Sequence, residues 1–140
     1  MASSSLKSTV QRLKALGHPA RMRIAVMLRG GELCVCQMTA VLQLAASTVS
    51  AHLAELRRAD CVAERKDGRW VFYALSGEGA SLLAAIAPDV RHDPTLAADV
   101  ALVKRLRALG PEELCRADLG RRALGRGRPP ACGRKAAGRG

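Results

Sequence analysis

Aromatic side chains are nearly missing from this chain, which has one Trp, one Tyr and one Phe in 140 residues. Its 49% apolar share must therefore be almost wholly aliphatic, a composition that suits helices better than a β-sandwich. No apolar run reaches about 18 residues, which excludes a transmembrane helix. Residues 1–5 are small and polar and no apolar signal segment accompanies them, so the expected location is the cytoplasm, with no membrane partner. A disulfide framework is not expected either. Five cysteines is an odd number, and thiols in a reducing compartment serve as metal ligands or reactive groups.

Acidic residues are also short, with 12 against 23 Lys and Arg, for a net charge of +11. On a protein this small, that excess points to a polyanionic partner, most often nucleic acid. The imbalance is concentrated at the end. Residues 116–140 hold eight basic groups and one acid. From residue 125 the chain is Gly, Pro and Arg with little apolar surface to bury, which predicts a disordered basic tail.

Helical spacing is clear in the first half. Leu6, Val10, Leu13 and Leu16 make a stripe that Gly17 ends. His18-Pro19 reads as an N-cap region opening a helix over 19–28, broken by Gly30-Gly31. A third helix is expected from 32–34 to 41 or 42. After a short turn, Val49, Leu53 and Leu56 form the buried stripe of a fourth, which turns Ser47, Thr48, Ser50, His52 and Arg57 outward. That is a helix-turn-helix with a polar second helix suited to the major groove. Two β-prone runs follow around Asp67-Gly68, a hairpin signal, with Arg65, Lys66 and Arg69 near its tip. Trp70 and Phe72 point to one face of the second run, Val71 and Tyr73 to the other. A basic-tipped hairpin after a helix-turn-helix is a wing. Beyond it, a short helix over 81–87 is expected to stop at Pro88. A longer one carries Leu96, Val100, Val103, Leu106 and Leu109, and a last one starts at Pro111. These peripheral apolar faces, with the first helix, are expected to form a dimer, since one recognition helix reads few bases.

The fold class is thus mainly α with a small β-hairpin, a homodimeric winged helix-turn-helix. The division is residues 1–88 as DNA-binding and sensing core, 89–124 as C-terminal helices for dimerisation or sensing, and 125–140 as basic tail. No catalytic constellation is present. Cys34 has neither a phosphate-cradling loop nor a His beside it, so no enzyme is expected.

Four segments in order carry a family resemblance. They are Ala15-Leu16-Gly17-His18-Pro19-Ala20-Arg21-Met22-Arg23-Ile24, Gly31-Glu32-Leu33-Cys34-Val35-Cys36, Ser47-Thr48-Val49-Ser50-Ala51-His52-Leu53 and Asp67-Gly68-Arg69-Trp70-Val71-Phe72-Tyr73. Over roughly residues 6–80 the chain resembles the ArsR/SmtB family of metal-sensing repressors, and Glu-Leu-Cys-Val-Cys resembles its arsenical-sensing branch. The resemblance implies a homodimer that sits on double-stranded operator DNA and leaves it when a thiophilic ion binds. It differs from the family in having Ala at 46 and 51, where larger polar residues are common.

Thiolates are soft ligands, so trivalent arsenic or antimony is the expected inducer, with no permanent cofactor. Cadmium- or lead-sensing, or thiol oxidation, are the alternatives within the same fold. On a regular helix, residues two apart point about 200° from one another. Cys34 and Cys36 can therefore share an ion only if the first turn of the third helix is non-helical or unwinds. For a third thiolate the candidates are Cys61, Cys115 and Cys132, and Cys115 is chosen. Asp89 to His92 offers only half of a late-helix zinc site, because no histidine follows.

Overall fold

A computed structural model describes residues 5–68, 70–109 and 113. Its elements run α1 (Leu6–Leu16), α2 (Pro19–Leu28), β1 (Leu33–Cys34), α3 (Val35–Leu42), α4 (Ala46–Arg58), β2 (Val62–Asp67), β3 (Trp70–Leu75), α5 (Gly77–Val90) and α6 (Pro94–Arg107). The three strands form one antiparallel sheet in the order β1-β3-β2. None of the described helices is long and apolar enough to cross a membrane.

Local chemistry sets the helix ends. Ser5 caps α1 in a reciprocal pair with Ser8. His18 caps α2 through Nδ1, which accepts the Ala20 N–H at 3.1 Å, and Pro19 occupies the first helical position. At the far end of α2 the Arg107 guanidinium donates to the Gly31 carbonyl at 2.9 Å, tying α6 to the turn before β1. Gln43 closes α3 in the left-handed region, φ 56°, and this makes the turn into α4. The end of α4 folds back in the same way. Asp60 is left-handed, and the Cys61 N–H donates to the Leu56 carbonyl at 2.9 Å, which drops Cys61 into the core.

The core is aliphatic, as the composition requires. Leu16, Ile24, Met27, Leu33, Met38, Leu53, Leu56 and Leu83 are its largest fully buried members. In α1 only Leu16 of the predicted stripe is buried, while Leu6, Val10 and Leu13 are exposed and Arg12 lies inward.

Four expectations need correction. The wing is a three-stranded sheet, because Leu33 and Cys34 pair with Tyr73 and Phe72. A two-residue strand has no periodicity to detect. Helix three consequently begins at Val35. In the hairpin, Asp67 is already paired with Trp70 and so belongs to the strand rather than to the turn, where Gly68 supplies the positive φ of 58°. Helix α5 starts at Gly77, capped by Ser76, and continues through Pro88 to Val90. Proline keeps a helical φ, and the carbonyl it leaves without a donor belongs to Ala84, an exposed residue that water can serve. Of the helix expected from Pro111 only Glu113 is described, and Cys115 and Cys132 lie outside the described residues.

Candidate functional site

Strand β1 and helix α3 meet between the two cysteines. Cys34 is the last strand residue and the N-cap of α3, with extended φ −89° and ψ 166°, and Cys36 lies in the first turn. Cys34 thus stands outside the helical backbone that begins at Val35, so the two cysteines are not positions i and i+2 of one regular helix. Gln37 accepts the Cys34 N–H through Oε1 at 2.9 Å, and the Cys34 sulfur faces the Gln37 N–H in return. Thr39 Oγ1 donates to the Cys36 carbonyl at 2.9 Å. Both thiols are outside any disulfide and hidden from solvent, at 0% and 3% exposure.

Alternation along the sheet separates two environments. Leu33 and Tyr73, directly opposite each other, face the main core. Cys34 and Phe72, the next pair, face the other way. There the two sulfurs form a small cluster of their own, closed by Ala40, Trp70, Phe72 and Leu106. Two of the three aromatic residues of the chain thus wall the cysteine pair. Among the described residues, no group of three or more His, Cys, Asp and Glu side chains gathers for an ion. Cys61 belongs to the main core instead, where burial pushes its thiol pKa up.

The row continues to the wing. Phe72 is paired on its far side with Arg65, whose guanidinium lies 4.8 Å above the ring. Arg65 is also held in a two-pronged pair by Glu32, with Nε donating to Oε2 at 2.9 Å. Glu32 sits one residue before β1. Sequence reasoning missed it, although it is the first acidic residue of the chain.

The predicted DNA-facing residues fall into two groups. Ser47 and Thr48 are exposed on the first turn of α4, and Lys66 is exposed on β2. Ser50 is half-buried. His52 leans on His18 with ring centroids 4.7 Å apart; burial, then His18 and Arg21, lower its pKa. Arg57 donates to Glu64 at 2.8 Å, and Glu64 also accepts the Tyr73 hydroxyl at 3.0 Å. Arg57 and Arg65 are thus engaged with carboxylates, and Arg69 lies outside the described residues. Helix α4 has Ala45 at its N-cap, which offers no side-chain cap and leaves the first N–H groups for solvent or a phosphate.

A family model described as "Bacterial regulatory protein, arsR family" matches residues 18–64. The chain is 42% identical over 66 residues to "Arsenic resistance transcriptional regulator ArsR1" of Pseudomonas putida, covering 46% of this chain and 52% of that one. It is 42% identical over 76 residues to "Transcriptional activator HlyU" of Vibrio cholerae, covering 54% and 69%. The solved structure of HlyU from Vibrio cholerae N16961 superposes with a TM-score of 0.58 at 34% identity, over 61% of this chain and 95% of that one. A homodimeric winged helix-turn-helix DNA-binding domain from Mycobacterium bovis gives 0.55 at 28% identity, over 65% and 90%. The chain spans between about half and two thirds of the length of the first curated relatives it matches.

Proposed function

The chain belongs to the arsR family of bacterial regulatory proteins, a family of transcriptional regulators rather than enzymes, and from that premise we propose that it is an arsenic-responsive repressor. It binds operator DNA as a homodimer in the cytoplasm. Trivalent arsenic or antimony on Cys34 and Cys36, with Cys115 as third thiolate, releases it.

One observation carries this reading. The cysteine pair sits at the junction of β1 and α3, so an ion bridging the sulfurs acts on two elements at once. Helix α3 packs beside α4, the recognition helix, while β1 is hydrogen-bonded to β3 of the wing. A ligand that favours one arrangement of this junction shifts both DNA-contacting parts, which is the differential binding that coupling requires. Ser47, Thr48, Ser50, His52 and Arg57 are assigned to the major groove, and Arg65, Lys66 and Arg69 to the wing contact. The exposed apolar stripe of α1, Leu6, Val10 and Leu13, supports a dimer surface.

The test is operator release. Cys34→Ser and Cys36→Ser keep size but lose soft-ion affinity. Each should retain the operator shift on a gel and fail to release DNA with arsenite or antimonite. Normal release by both variants would overturn the site. Release by cadmium alone would move the reading to a cadmium sensor, and release by oxidant alone, reversed by thiol, to a redox sensor.

A further inference from the structure

Resting on the reading of Cys34 and Cys36 as the inducer site, we propose that its preferred ligand is a trivalent arsenical bearing one carbon substituent, with that substituent seated against Trp70 and Phe72.

The hydrophobic side chains packed on the two cysteines define a chamber, and the two polar side chains beside them are already engaged, Gln37 by the Cys34 N–H and Thr39 by the Cys36 carbonyl. The walls are Ala40, Leu106 and two aromatic rings, and both cysteines are shut off from solvent. Arsenite held by two thiolates would keep one As–OH in this chamber, and a hydroxyl there needs a hydrogen-bond partner to offset its desolvation. Among the described residues, no third metal-ligating side chain joins the pair to replace that hydroxyl. An organoarsenical has no such group left over. R–As(OH)2 reacts with two thiols to give R–As(S-Cys)2 and two waters. Two As–O bonds are exchanged for two As–S bonds, each thiol proton leaves in a water molecule, and arsenic stays trivalent with its As–C bond intact. The adduct is neutral, so no charge is buried.

The placement of the rings is what selects R. Cys34 and Phe72 are directly opposed on neighbouring strands, and Trp70 follows on the same face. In a chain with three aromatic residues, two stand here. An apolar R meets ring surface on the side where arsenite would present oxygen. Trp70 and Phe72 are then specificity-determining residues, and Cys115 is not needed for this ligand.

The experiment uses the full-length reduced protein on operator DNA, titrated with phenylarsine oxide, methylarsonous acid and arsenite. Each half-release concentration is normalised to the ligand's affinity for dithiothreitol, which removes the intrinsic dithiol preference. We expect phenyl and methyl forms to release DNA at a normalised concentration at least tenfold below that of arsenite, phenyl lowest. Trp70→Leu and Phe72→Leu should each narrow that gap, taken within the same variant, to about threefold or less. Intact mass should show one R–As added and two hydrogens lost. A normalised preference for arsenite, or no preference, overturns the inference, as does a gap that both wall variants leave unchanged. If a wall variant does not fold, the phenyl-over-methyl order in the wild type decides by itself. The Cys34→Ser, Cys36→Ser double variant separates the two levels. If it still responds to every arsenical, the inducer site itself is wrong. If it responds to none while the wall variants behave as wild type, only the substituent preference falls.

Discussion

Arg23 and Asp99 meet in a two-pronged ion pair between α2 and α6, with Nε donating to one carboxylate oxygen at 2.8 Å and Nη2 to the other at 2.9 Å. The two partners are unequally buried, at 29% side-chain exposure for Arg23 and 6% for Asp99. Removing either one should therefore not cost the same. Arg23→Ala leaves a buried carboxylate without its cation, a loss on the order of 3 kcal/mol. Asp99→Ala leaves a guanidinium that can still reach water, a loss of about 1–2 kcal/mol. Urea unfolding of the two variants checks the order, and equal losses would contradict it.

Gly79 and Gly77 should respond in opposite directions. A Cβ on Gly79 would collide with the Cys61 carbonyl oxygen, which is backbone and cannot swing away. Gly79→Ala should destabilise by about 2–3 kcal/mol. A Cβ on Gly77 meets nothing within 4 Å, so Gly77→Ala should be neutral or stabilise by about 0.5 kcal/mol. Thermal melts of both variants read the contrast directly.

Tyr73 offers an alkaline titration free of overlap, since it is the sole tyrosine. Burial, with the hydrogen bond to Glu64, pushes its pKa up to about 12. The folded state then holds the proton more tightly than the unfolded state, whose value is about 10. The resulting stabilisation is complete below pH 10 and fades as pH rises from 10 towards 12. Phenolate absorbance should stay low at pH 10.5 in native protein and rise on adding urea at that pH. Equal phenolate signal in both would contradict the assignment.

Salt dependence should separate tail from recognition. Residues 125–140 carry five basic groups and no acid. For every DNA phosphate that the protein no longer neutralises, the slope of log K against log salt flattens by ~0.9. Deleting the segment should flatten the slope while operator preference over random DNA survives. Loss of that preference would place specificity in the tail rather than in α4 and the wing.

How much was legible in the sequence depended on element length. The 11-residue α1 and 13-residue α4 show enough turns for periodicity to locate them, and His18-Pro19 marks the start of α2 to the residue. The strand Leu33–Cys34 is two residues long and owes its existence to β3, a partner nearly 40 positions away. Without it, Trp70 and Phe72 could be assigned a common face but not the cysteines they cover. The same limit hid the engagement of Arg65. Its charge and its place in the hairpin were readable, whereas Glu32 reaches it only after the sheet closes. Pro88 misled for another reason. A local breaker signal is strong in isolation, yet it is tolerated where the orphaned carbonyl faces water.

The row Cys34, Phe72, Arg65 across three strands sets a design constraint for anyone retuning this protein as a biosensor. Phe72 presents one ring to two clients, the cysteine chamber on one side and the wing arginine on the other. On the proposed reading, substitutions there would change ligand choice and operator grip together, so the two could not be dialled separately at that position. Trp70 and Leu106 wall the chamber from elsewhere, and a library meant to alter ligand choice at fixed promoter strength should start with them.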